Sequence, residues 1–64
     1  MTISNVRKII VAGNVIIHSK NYDVLWHGKH DKIPKRFDDF TVVDIDINYK
    51  YNLSRVCVET QTDV

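Results

Sequence analysis

The chain of 64 residues contains one cysteine, one proline, one tryptophan, one methionine and two glycines. Each scarcity excludes something. With Cys57 alone, no disulfide forms within the chain, and a single thiol fits a reducing compartment. Gly13 and Gly28 stand far apart, so there is no glycine-rich loop to cradle a phosphate. No apolar run approaches the roughly 18 residues that would mark a membrane-spanning helix. The apolar stretch after Arg7 and Lys8 breaks at Gly13-Asn14 and ends at His18 with no small-residue cleavage site, so no secretory signal is expected. A cytoplasmic protein without membrane contact is the resulting expectation, and Asn52-Leu53-Ser54 is then a chance match to the glycosylation sequon.

Length sets a second bound. One domain over residues 1–64 is expected. A chain of this size buries only about 60% of the surface its unfolded form exposes. Lacking disulfides, it needs a compact core, a metal or a partner subunit to hold it together.

Net charge is scarce as well, at +1, but it is unevenly spread. Residues 1–36 carry seven Lys and Arg against two Asp, a net of +5; residues 37–64 carry two against six Asp and Glu, a net of −4. The chain is two-sided along its sequence, which marks a basic and an acidic stretch as candidate binding surfaces.

What the chain does have is valine and isoleucine, the composition of strands. Residues 6–12 (VRKIIVA) read as a first strand, and residues 15–19 (VIIHS) as its continuation past Gly13-Asn14, either through a bulge or across a hairpin turn. Lys20-Asn21 suits a tight turn. Residues 22–27 (YDVLWH) alternate, with Tyr22, Val24 and Trp26 on one face. Between Pro34 and Phe40 a short helical turn is expected, because proline suits a first helical position and Phe37 and Phe40 stand three apart. Residues 41–49 (TVVDIDINY) give the clearest strand: Val43, Ile45, Ile47 and Tyr49 on the buried side, Asp44, Asp46 and Asn48 toward water. Lys50-Tyr51-Asn52 fits a hairpin loop with Asn52 in the left-handed position. Residues 53–60 return as the last strand, with Val56 and Val58 inward.

The expected class is mostly β: a small five-stranded antiparallel sheet or partly closed barrel, with one short helical turn between the third and fourth strands. An α+β open sheet is the alternative. The OB-fold also places its helix between the third and fourth strands, a likeness of element order only.

Candidate chemistry is thin. His27, His30 and Asp31 are legitimate metal ligands, with His18 or Cys57 as a possible fourth. Only one close pair exists, however, and Lys29 and Lys32 beside it repel a cation, so a solvated turn is favoured. Cys57 sits between two valines and reads as a packing residue rather than a nucleophile, with no sequence signal pairing it to a base. No cofactor motif is present, and a non-enzymatic protein is expected. Two binding surfaces stand out. Lys29, Lys32, Lys35 and Arg36, with Trp26 nearby, combine cations for phosphates with rings for bases. Near-neutral overall charge and the acids Asp38 and Asp39 weigh against nucleic acid. Asp44 and Asp46, about 7 Å apart on one strand face, form an acidic row suited either to solvation or to docking on a basic partner.

The leading functional expectation is therefore stoichiometric contact with a protein partner, in the manner of small accessory or inhibitor proteins of phages and mobile elements. A small nucleic-acid-binding β domain using residues 29–36 is the alternative, and metal binding at His27, His30 and Asp31 a lesser one. A homodimer formed by pairing the strand at residues 6–12 with its symmetry mate is a natural extension.

Overall fold

A computed structural model describes residues 1–10 and 13–59. Its elements run in the order α1 (Ile3–Ile9), β1 (Asn14–His18), β2 (Val24–Lys29), two 3-10 turns (His30–Lys32 and Lys35–Phe37), β3 (Thr41–Asn48) and β4 (Leu53–Glu59). The four strands form one open sheet in the order β2-β1-β4-β3. Each hairpin, β1–β2 and β3–β4, is antiparallel, and the two join through a parallel β1–β4 pair. The mostly-β reading holds; five strands, barrel closure and uniformly antiparallel neighbours do not.

The missing strand is a helix. The expected strand at residues 6–12 overlaps α1, and its last two residues, Val11 and Ala12, lie outside the described residues. The local reason is a start signal followed by helical spacing. Thr2 is the N-cap, and the Asn5 side-chain oxygen accepts both the Thr2 N–H at 2.9 Å and the Thr2 hydroxyl at 3.0 Å. Ile3, Val6 and Ile10 then recur at i, i+3 and i+7, and all three are buried in the core. Burial of that stripe overrides the weak helix propensity of β-branched residues. Over residues 6–10, the strand edge expected to form a homodimer is therefore absent.

Gly13 stands immediately before β1. Its φ is +90°, and a Cβ there would lie 2.5 Å from the Asn52 carbonyl oxygen, so both backbone freedom and space demand glycine. It is neither a bulge within a strand nor a hairpin turn. The Asn14 N–H donates to that same Asn52 oxygen at 2.9 Å, which ties the start of β1 to the β3–β4 turn.

One face of the sheet is covered. Val15 and Ile17 of β1 and Val56 and Val58 of β4 are fully buried beneath Ile3, Val6 and Ile10, with Ile33 and Phe37 completing the layer. Burying each such side chain contributes on the order of 2 kcal/mol. The covering layer is α1 together with the connection from β2 to β3. That connection passes from one edge strand to the other and holds both 3-10 turns, in agreement with the expected short helical turn. Phe37 and Phe40 meet edge-to-face there at 5.2 Å. Arg7 pins this connection to α1. Its guanidinium donates to Asp38 and to the carbonyls of Ile33 at 2.6 Å and Pro34 at 3.0 Å.

Two bulges shift the expected faces. The β1–β2 register breaks so that Trp26 opposes Ile17 while Val24 opposes His18. Trp26 therefore turns to the covered face and Val24 to the open one, instead of sharing a face. In β3 the register shifts between Val42 and Asp44. Val42, Ile45 and Ile47 then sit opposite Val58, Val56 and Ser54 on the side that faces α1, but Ile47, near the end of the strand, is exposed rather than buried, and so is Val43. Tyr49 lies beyond the strand and is exposed rather than buried. The β3–β4 loop is as expected, with Asn52 at φ +53°. So is the inward placement of Val56 and Val58.

Candidate functional site

The second face of the sheet has no covering layer among the described residues. Its side chains follow from the registers, in rows across the strands. One row runs Val24, His18, Cys57, Asp44; the next runs His27, Ile16, Arg55, Asp46. Cys57 is thus not a core packing residue. It is half-exposed beside His18.

His18 is buried by its own turn. Its Nδ1 lies 2.8 Å from the Ser19 carbonyl oxygen; a carbonyl only accepts, so Nδ1 carries the proton. Tyr22, in the left-handed region at φ +67°, stacks on the imidazole at 5.3 Å and 15°. The Ser19 hydroxyl oxygen accepts the Asn21 and Asp23 N–H groups at 3.2 Å each, and these bonds set the turn that holds Tyr22 there. A groove of about 350 Å³ opens on this face, bordered by His18, Tyr22, Asp44, Arg55 and Cys57. Its lining mixes the cations of Lys20 and Arg55 with the carboxylates of Asp44 and Asp46. No three His, Cys, Asp or Glu side chains among the described residues are grouped to hold a metal ion. His27, on the open face, and His30, with Nδ1 3.4 Å from the Gly13 carbonyl oxygen, take up separate surroundings.

The two charged candidate surfaces fall at different places. Lys29 ends β2, Lys32 ends the first 3-10 turn, and Lys35 and Arg36 open the second; all four are exposed. Their aromatic partners are committed elsewhere. Trp26 is half-buried against the core and lies across Gly28, where an added Cβ would stand 2.8 Å from the indole ring. Phe37 is buried beneath Arg36, whose guanidinium sits 4.8 Å from the ring centre. Cations are present at this surface, but the rings of Trp26 and Phe37 are taken up in packing.

Asp44 and Asp46 lie on the open face of β3, both exposed. Neither makes a salt bridge among the described residues; the ion pairs there are Arg7–Asp38 and Lys20–Glu59. β3 is an edge strand, and only its first residues are covered. Met1 accepts the Val42 N–H at 2.7 Å, and Thr2 bridges to Thr41. Past that point, the Ile45 N–H donates to the Asp44 carboxylate at 3.0 Å. In an antiparallel ladder, successive residues turn their backbone groups alternately to either side. Ile45 and Ile47 therefore present N–H and C=O outward, with no strand opposite among the described residues.

No protein-family model, curated protein or solved structure matches this chain.

Around that free edge is apolar surface that the sequence pattern did not single out. Ile9 at the end of α1 is 50% exposed, Tyr49 87% and Tyr51 66%. Ile9, Ile10, Ile47, Tyr49 and Leu53 line a shallow groove of about 190 Å³ where the end of α1 meets the β3–β4 hairpin. A signal for it existed in Tyr49 and Tyr51, two large rings in the β3–β4 turn. Ile9 was hidden by the strand reading of its segment.

Proposed function

We propose that this chain is a non-enzymatic protein that works by stoichiometric contact with a protein partner, and that the contact is made along β3. One observation carries the reading: the outward backbone of Ile45 and Ile47 faces no strand among the described residues, and exposed apolar groups and two carboxylates with no salt bridge there flank it. An edge of this kind invites pairing. Tyrosine-rich surface with a charged border is the composition of protein interfaces. The basic stretch at residues 29–36 supports nucleic-acid binding less well, because Trp26 and Phe37 are used in packing.

Site-specific photo-crosslinking in cells of the source organism tests this. A photoreactive phenylalanine analogue at Tyr49 should give one discrete protein adduct, and the same group at Lys35 should not. Adducts only from Lys35, or nucleic acid recovered with it, would overturn the proposal.

A further inference from the structure

The free edge of β3 also specifies what kind of segment fits it. We propose that β3 accepts an extended partner segment that alternates basic and apolar residues and adds antiparallel as a fifth strand. The inference rests on the reading above and gives it a binding mode and a partner chemistry.

Side chains on β3 alternate between two environments. Asp44 and Asp46 point to the open face, and Ile45 and Ile47 to the covered side. In an antiparallel ladder, a residue directly opposite another points its side chain to the same face. An added strand therefore sets every second side chain against Asp44 and Asp46, where lysine or arginine is complementary. The residues between them fall opposite Ile45 and Ile47, where apolar groups are complementary, and the one at Ile47 stands at the mouth of the groove beside Ile9. The Asp44 carboxylate now occupied by the Ile45 N–H is exchanged in the process. The amide turns to a carbonyl of the incoming strand, and the carboxylate turns to its cation. A second copy of this chain fits less well: antiparallel pairing centred on Ile45 would bring two acidic rows together, and like charges directly opposite one another destabilise.

Backbone polarity sharpens the test. The residues opposite Ile45 and Ile47 exchange both backbone hydrogen bonds with them, and these are the apolar residues of the segment. The probe is a capped heptapeptide alternating lysine and valine, titrated into the full chain at low salt and followed by nuclear magnetic resonance. Its comparators are a peptide of the same composition with lysines and valines in separate blocks, one N-methylated at the valines and one N-methylated at the interior lysines. The alternating and lysine-methylated peptides should bind alike and shift the amides of residues 44–48. The block and valine-methylated peptides should bind at least about tenfold more weakly, the equivalent of one lost pairing of about 1.4 kcal/mol. The double variant D44N/D46N should weaken the alternating peptide. Equal binding by the block or valine-methylated peptide would overturn strand addition, as would no binding by the alternating peptide or a β3-paired dimer of the free chain. A crosslinked partner at Tyr49 with no peptide binding would reject strand addition alone; the loss of both would reject the function as well.

Discussion

At the scale of single residues, the molecule depends on a few contacts that composition does not reveal. Gly13 is held at positive φ against Asn52, so Gly13→Ala should cost about 1–3 kcal/mol, the range for a strained backbone position. Denaturant unfolding measures this, and a change below about 0.5 kcal/mol would show that the turn relaxes freely. Arg7 satisfies one carboxylate and two carbonyls with a planar fork. Lysine has no such fork, so Arg7→Lys should destabilise nearly as much as Arg7→Ala, about 1–3 kcal/mol, in the same unfolding measurement. The surface pair Lys20–Glu59, at 3.5 Å and well exposed, should contribute little by comparison. Some residue-level features were legible beforehand. Asn52 as the left-handed loop residue followed from its tolerance of positive φ, and the Phe37–Phe40 contact from their spacing. The left-handed Tyr22 was not, because a bulky side chain gives no local signal for that conformation.

At the scale of elements, α1 is the instructive case. Its residues favour strands, yet Thr2 and Asn5 start a helix, and Ile3, Val6 and Ile10 can be buried together only at helical spacing. Asn5→Ala should therefore cost about 1 kcal/mol through the lost capping-box bonds to Thr2. Val6→Lys should unfold the chain while Ile9→Lys is tolerated, as circular dichroism melts would show. Equal tolerance at both positions would mean that the segment is not this helix. The two bulges were hidden for a different reason. Strict alternation in β3 points to Val43 as a core residue, but the extra residue between Val42 and Asp44 puts Ile45 and Ile47 on the covered side and leaves Val43 outside. A period-two pattern reports which residues share a face only while the register is unbroken. In β4 it is unbroken, and Val56 and Val58 are where the pattern places them.

At the scale of the whole molecule, the decisive event is the parallel pairing of β1 with β4. It joins two local hairpins, assigns the inner and outer strands, and leaves β3 as an edge. Neither strand advertises that pairing, since contacts distant in sequence have no local signature; hence the hairpin β3–β4 was legible and the sheet order was not. Asp44 and Asp46 are exposed, as the alternation of β3 implies, and lie on the edge strand. The basic set Lys29, Lys32, Lys35 and Arg36 is also exposed, but Trp26 is half-buried against the core. Because both carboxylates are solvated, D44N/D46N should change stability by no more than about 0.5 kcal/mol.

Residue-resolved amide hydrogen exchange on the free chain addresses the open edge directly. The N–H groups of Val56 and Val58, which face β1, should exchange slowly, while those of Ile45 and Ile47 should exchange orders of magnitude faster. Protection of Ile45 and Ile47 equal to that of Val56 would mean that something already covers the edge, and the proposed binding surface would be lost.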